Sequence, residues 1–320
     1  MRKKLVCLGM VMCMLTSVLT GCGGKKEEKQ PQESQPKKLV FTYVTAPLNV
    51  PSIVDDEKDM FENALEGMNV DVEYAELTSG ADQTQALASG DVQVLYGVGA
   101  SSVILSAANG ADIKILNTYS RSPKAFCMYA KDKKITSPKD LKGKKIAGPA
   151  GTNLHELLAA YLATENMSIQ DVDYVDMTIP ESKAALDGGS VDVALLAGAT
   201  AYQAKQQGYP LVTDGEGLID AIIVVAVTNK FYTENPQIVE KLKLVQQEIA
   251  TFMKENKEET LRMVADELDL DVTAVKEMYE YYDFSTEVTE KDKQGFQKTA
   301  DFMLQAGMIE KKLDTNTLFL

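Results

Sequence analysis

The chain reads as an α/β protein of two similar lobes joined by two hinge strands, and three observations predict this. Short apolar runs alternate with amphipathic segments of helix length, so consecutive strands are parallel and both sheet faces are covered. A repeat recurs at an offset of 99 residues: Ala86-Leu87, Gly90, Val92 and Val94 match Ala185-Leu186, Gly189, Val191 and Val193. In the same register Gly99-Ala100-Ser101 matches Gly198-Ala199-Thr200. Two further apolar runs, Phe126–Ala130 and Ile222–Thr228, bracket the second copy and are expected to cross between lobes.

Each repeat is a helix closed by a left-handed glycine, a β-branched strand, and a small-residue turn whose hydroxyl can cap the next helix. In the first lobe, strands are expected at Lys38–Val44, Val70–Tyr74, Val92–Tyr96 and Ile113–Leu116. Helices are expected at Asp56–Leu65, Ala81–Ser89 and Ser101–Asn109. In the second lobe, Lys145–Ala147, Tyr174–Met177, Val191–Leu196 and Leu211–Thr213 read as strands. There Asn153–Glu165, Glu181–Asp187 and Ala201–Gln207 read as helices. From Pro236 to Gly307 the chain is helical: Ile238, Leu242, Val245 and Ile249 form one stripe, and Thr289 with Asp292 forms a capping box. The first lobe is thus expected to span 38–121 plus 229–320, and the second 122–228.

The amino terminus has another purpose. Arg2, Lys3 and Lys4 precede an uncharged apolar run from Leu5 to Thr20, the layout of a secretory signal and too short for a comfortable membrane span. Leu19-Thr20-Gly21-Cys22 resembles the bacterial lipobox, which implies removal of residues 1–21 and acylation of Cys22. Residues 22–37 include no aliphatic or aromatic side chain and read as a flexible tether. The expected product is a monomer on the extracytoplasmic face of the cell membrane, held there by its lipid. No later run is long and apolar enough to span a bilayer.

Composition narrows the function. Loss of Arg2, Lys3 and Lys4 takes the net charge from −14 to −17, which argues against nucleic-acid binding. Of four cysteines, Cys7 and Cys13 leave with the signal and Cys22 is the acylation site, so Cys127 is a lone, buried thiol. With His155 the only histidine, a His/Cys metal cluster is excluded and a Ser-His-Asp triad has one candidate base. No cofactor, metal or catalytic residue is expected.

Thr78-Ser79-Gly80-Ala81-Asp82, Gly90-Asp91 and Gly97-Val98-Gly99-Ala100 resemble the solute-binding proteins for taurine, alkanesulfonates and nitrate, the NMT1/THI5-like group. So do Asp140-Leu141-Lys142-Gly143-Lys144-Lys145-Ile146, Gly151-Thr152, His155 with Leu157-Leu158, and Asn229 with Phe231 and Pro236. The resemblance spans about residues 38–310. It implies the type II periplasmic-binding-protein fold and delivery of a small polar or anionic solute to an ABC permease and its ATPase. One departure stands out: many members have Trp-x-Pro where this chain has Ala197-Gly198-Ala199-Thr200. That departure counts against taurine or an alkanesulfonate as the ligand. Two alternatives stand beside import: an enzyme on the same fold, similar to pyrimidine synthases but without their cysteine-rich motif, and a sensory partner of a membrane receptor.

Open α/β sheets bind ligands at the carboxyl ends of their strands. Helix starts near Ser79-Gly80, Gly99-Ala100-Ser101, Gly151-Thr152-Asn153 and Gly198-Thr200 offer free N–H groups and hydroxyls there, either as caps or as ligand contacts. Asn49, in the loop after the first strand, is a rim candidate. His155 either packs at the edge of a helix stripe or meets ligand. Arg121 is either a carboxylate clamp or a solvated hinge residue, and Asp220 either an amine acceptor or a loop aspartate. Tyr43, Tyr96 and Tyr202 are stacking platforms or core.

Overall fold

The computed structural model describes residues 36–44, 47–77 and 79–320. Cys22, the signal and nearly all of the tether lie outside them. No helix among the described residues is long and apolar enough to cross a membrane.

The first sheet is built from β1 (Lys38–Tyr43), β2 (Asp71–Glu76), β3 (Leu95–Gly99) and β4 (Lys114–Arg121). β1 pairs with β2 in parallel from Lys38 opposite Asp71 to Tyr43 opposite Glu76. A parallel bridge between Phe41 and Val94 joins β1 to the strand leading into β3, and the Thr42 hydroxyl accepts from Tyr96 N. The second sheet holds β5 (Phe126–Ala130), β6 (Lys145–Gly148), β7 (Asp173–Asp176), β8 (Val193–Ala197) and β9 (Leu211–Asp214), in the order β7-β6-β8-β5-β9. The last strand, β10 (Ile222–Val227), lies between β3 and β4 and runs antiparallel to both.

The sheets therefore share one plan. Each has three parallel strands, then one antiparallel strand, then an edge. The antiparallel strand is β10 in one sheet and β5 in the other, in each case the strand that has just crossed from the opposite lobe. A strand arriving at the cleft end runs opposite to its hosts. All residues of β5, β8 and β10 are buried, as near-continuous apolar runs require, whereas β7 and β9 are half-exposed edges.

This pairing corrects two expectations. Phe126–Ala130 and Ile222–Thr228 are not themselves the crossings. The crossings are the turns beside them, residues 122–125 with a short 3-10 turn at Pro123–Ala125, and residues 215–221. They touch where Ser122 N donates to Ala221 O at 3.3 Å. Residues 222–228 consequently belong to the first sheet rather than the second lobe. The apolar run alone could not reveal this, because hydrophobicity marks a central strand without saying which sheet receives it.

The helices of the first lobe are α1 (Val50–Lys58), α2 (Met60–Glu66), α3 (Gly80–Ser89) and α4 (Ala100–Ala108). The single helix expected at Asp56–Leu65 is two. Asp59 takes a left-handed conformation, φ 52°, and the fully buried Asp55 carboxylate accepts from Phe61 N at 2.9 Å and from Tyr74. A buried acceptor thereby satisfies an N–H that the break exposes. The second lobe has α5 (Asn153–Ala163), α6 (Ile179–Gly188) and α7 (Gly198–Gln206). Gly90 and Gly189, at φ 84° and 71°, end α3 and α6 as the repeat demands.

The carboxyl third comprises α8 (Asn229–Glu234), α9 (Pro236–Glu255), α10 (Lys257–Leu268), α11 (Val272–Tyr279) and α12 (Glu290–Gln305). α9 buries the expected stripe of Ile238, Leu242, Val245 and Ile249 against α1, α2 and β4. Thr289 and Asp292 form the expected capping box of α12. This third does not belong to one lobe alone. α11 packs on α7, with Lys205 paired to Glu277, and Asp283 exchanges two backbone hydrogen bonds with Arg121 at the crossing.

Candidate functional site

The carboxyl ends of the parallel strands in both sheets face one another across a cleft of about 580 Å³. Four helices begin at its wall, and Gly99 and Ser102 bring the start of α4 to it. Ser79 caps α3 by accepting from Asp82 N at 3.0 Å, and Thr152 caps α5 by accepting from Leu154 N at 3.3 Å. Thr178 caps α6 in a reciprocal box with Glu181. Apolar surface comes from Val44, Phe126, Leu154, Met177, Ile179 and Ile223. The wall is thus mostly apolar with a few polar groups, the usual make-up of a small-molecule site.

Two buried amides at this wall are incompletely satisfied. Gln83, 4 % exposed, donates from Nε2 to Leu77 O at 2.9 Å, while its Oε1 has no partner. Asn153, 2 % exposed, accepts through Oδ1 from the Ser101 hydroxyl at 2.9 Å, while its Nδ2 has none. Orphaned buried polar atoms are uncommon and costly, by about 1–3 kcal/mol each. One stands on each lobe.

The structure divides the candidates read from sequence. Ser79, Gly80, Gly99, Thr152 and Asn153 line the cleft. Ala100 and Ser101 are buried behind it, where the Ser101 hydroxyl is shared between Asn153 and Glu156. Gly151 borders a separate surface cavity, at φ 68°. Its N–H donates to Nδ1 of His155 at 3.1 Å, which places the imidazole proton on Nε2. His155 stacks on Tyr174 with ring centres 4.7 Å apart, and burial pulls its pKa below the usual value, so it is neutral at pH 7. Asn49 is buried and donates to Val44 O at 2.8 Å, shaping the loop after β1.

Gly198 and Thr200 stand at the start of α7, but that helix end is taken. A Cβ on Gly198 would lie 1.5 Å from the Pro47 carbonyl oxygen, so the loop after β1 sits on the α7 amino terminus. Thr200 bonds its own helix at Ala197 O. Tyr202 lines a smaller cavity of about 350 Å³, with Gly198, Lys205 and Tyr281. Tyr43 reaches Glu267 at 3.4 Å, and Tyr96 is wholly buried against Phe61 and Tyr119 at 5.2 and 5.0 Å. Arg121 pairs with Asp292 through two contacts of 2.6 Å and donates to Ser285 O and Glu287 O. Its guanidinium is saturated by the loop before α12. Asp220 lies against Gly295 of that helix, behind the crossing.

Sequence reasoning missed Gln83, the α6 start at Thr178, and four carboxylates at the wall: Glu76, Asp82, Asp176 and Glu181. Thr178-Ile179-Pro180-Glu181 is a capping box with proline in the first turn, a signal strong enough to have shown that helix end. Gln83 had no such signal, since an amide inside a helix looks like any surface residue until its burial is known.

The contact between lobes extends behind the cleft. Glu156 on α5 is 4 % exposed and accepts from Ser101 on α4 and from Thr299 on α12, the latter at 2.9 Å. Burial pushes its pKa above the usual carboxylate value, against the lowering effect of both hydroxyls. Ser102 Oγ also crosses, donating to Gly151 O at 3.1 Å.

Comparison with known proteins gives a consistent answer. A Bacillus subtilis (strain 168) protein provisionally named as an aliphatic sulfonates-binding protein is 27% identical over 98% of this chain and 93% of its own length. The taurine-binding periplasmic protein of Escherichia coli K12 is 30% identical over 52% of this chain and 53% of its own. The alkanesulfonate-binding protein of Xanthomonas axonopodis pv. citri, solved bound to MOPS, superposes with a TM-score of 0.81 at 19% identity, covering 90% of this chain and 99% of that one. That superposition establishes the two-lobe type II periplasmic-binding-protein fold. Residues 49–260 match the family described as NMT1/THI5 like, and the chain belongs to that family.

Proposed function

We propose that this chain is the solute-binding component of an ABC importer. It captures a small polar organic solute between its lobes and presents it to a permease driven by an ATPase. The observation supporting this most directly is the cleft itself, about 580 Å³, walled by the starts of α3, α4, α5 and α6 from two lobes of matching topology. That volume suits a molecule of metabolite size. Relatives named for aliphatic sulfonates and taurine support a solute in the class of small organic acids and their amino derivatives. The solute's polar head meets helix-end N–H groups, Ser79, Thr152 and Asn153, and its carbon chain meets Phe126, Met177 and Ile223. The body consists of residues 38–320, tethered outside the cell by acylated Cys22, with each lobe carrying half of the wall.

Nothing among the described residues at the wall supports the enzyme alternative: the hydroxyls of Ser79, Thr152 and Thr178 are engaged as helix caps, and that of Ser102 donates to Gly151 O. The two sequence relatives are named as binding proteins. A thermal-shift panel of two- to eight-carbon sulfonates, aminosulfonates, carboxylates, alcohols and amines tests the proposal. A solute at a hundred times its Kd stabilises the folded state by about 2.7 kcal/mol. Absence of stabilisation by every member of the panel would overturn the carrier reading for solutes of this size.

A further inference from the structure

We infer that Glu156 is a proton-carrying latch between the lobes, holding the molecule closed as a neutral carboxylic acid and giving up its proton when the lobes part. Glu156 stands on α5, which packs on β5 and β8 of the second sheet. Its two partners belong to the other side. Ser101 is in the first turn of α4, which packs on β3 and β10, and Thr299 is on α12, which packs on α4 and β10. All three side chains are buried, Glu156 at 4 % exposure. Asp292, another buried carboxylate, has Arg121 as its counter-ion, whereas Glu156 forms no ion pair among the described residues.

The protons available decide its state. Ser101 Oγ carries one proton yet faces two acceptors, Asn153 Oδ1 at 2.9 Å and Glu156 Oε2. The Asn153 atom is its oxygen, because Ser101 N–H points at it as well, at 3.4 Å. With Glu156 ionised, one of those two buried contacts is oxygen against oxygen with no proton between them. With Glu156 neutral, Oε2–H donates to Ser101, Ser101 donates to Asn153, and Thr299 donates to Oε1 at 2.9 Å, so each contact holds one proton. This chain of bonds ends at the cleft, which Asn153 lines.

The surroundings favour the neutral form. Burial pushes the pKa of Glu156 up and Asp220 of the crossing adds to this, while Ser101, Thr299 and Lys298 of α12 pull it down; the balance is upward. No Asp, Glu, Lys, Arg or His comes from α4, β5 or β8, and His155 is neutral at pH 7. Parting of the lobes returns the carboxyl to water, where its ordinary value is about 4.3. The closed form thus binds the proton more tightly. Its advantage is complete below that ordinary value and is lost as pH rises through the raised one. For a carrier that closes on its solute, capture is tighter in mildly acidic surroundings.

Glu156→Gln tests this, because the amide keeps the shape and the donor–acceptor pattern of the neutral acid at every pH. Its Nε2 donates to Ser101 and its Oε1 accepts from Thr299. Small-angle scattering of the purified chain without solute should show the parent's radius of gyration increasing between about pH 5 and about pH 8. The variant should keep the parent's low-pH radius throughout. At about pH 6, where exposed carboxylates are ionised, the infrared difference between parent and variant should contain the carbonyl band of a neutral carboxylic acid. A parent radius that does not change with pH, a variant that follows the parent, or an absent band would overturn the latch. So would a variant too unstable to fold, since the amide satisfies every partner that the neutral acid does. No solute enters the test, so silence of the thermal panel would overturn the carrier reading and leave this result standing.

Discussion

Arg121 shows how a single residue can resemble a ligand clamp and be structural. The Asp292 side chain it meets is 3% exposed, and the pair is bidentate at 2.6 Å. Burial raises the Asp292 pKa, but hydrogen bonds from Arg121 and Thr289 more than offset this and hold the carboxyl below its usual range. A depressed carboxylate stabilises the fold above its unfolded pKa, and that stability is lost as pH falls through the folded value. The window therefore lies in the acid range, below about pH 4. Arg121→Ala strands a buried carboxylate and should cost about 3 kcal/mol by urea denaturation at pH 7. The deficit should shrink as the pH is lowered through that window. Solute affinity of the folded variant should stay within twofold of the parent, since Arg121 does not line the cleft. Loss of all affinity would restore Arg121 to the site.

At the scale of elements, the start of α7 is a point where main chain of the two lobes meets closely. Gly198 has φ 56° and stands against the Pro47 backbone, so a Cβ would be both strained and in collision with main chain. Main chain cannot swing aside as a side chain does. Gly198→Ala should therefore separate the loop after β1 from α7 and favour a more open molecule. Small-angle scattering without solute should show a larger radius of gyration than the parent, and solute affinity should fall about tenfold or more. An unchanged radius would mean that the two elements part without moving the lobes.

For the whole molecule, the question is how a body with no membrane-crossing helix among its described residues stays near an importer. The proposed answer is an acylated Cys22, whose lipid would confine the body to the membrane surface. Cys22→Ser should abolish fatty-acid labelling and shift the protein from the membrane to the soluble fraction. Purified body lacking residues 1–37 should bind solute as the parent does. Labelling of the serine variant at the parent's level would place the anchor elsewhere.

The sequence by itself determined the α/β class, the duplication and the amphipathic carboxyl third, because periodicity and glycine turns are local signals. It also singled out Ser79, Gly80, Gly99, Thr152 and Asn153, which line the cleft, since helix starts after parallel strands gather at one sheet end. Only the tertiary structure decided which sheet receives β10, because a wholly apolar strand suits either lobe. Tertiary structure alone buried Ser101 behind Asn153 and laid Pro47 over α7, so of two helix starts that look alike in sequence the α4 start reaches the cleft through Gly99 and Ser102 while the α7 start is covered. The acidic wall was hidden for the same reason. Glu76, Asp82, Asp176 and Glu181 read as ordinary solvated charges along the chain, and they line one cleft only where the fold brings the two lobes together.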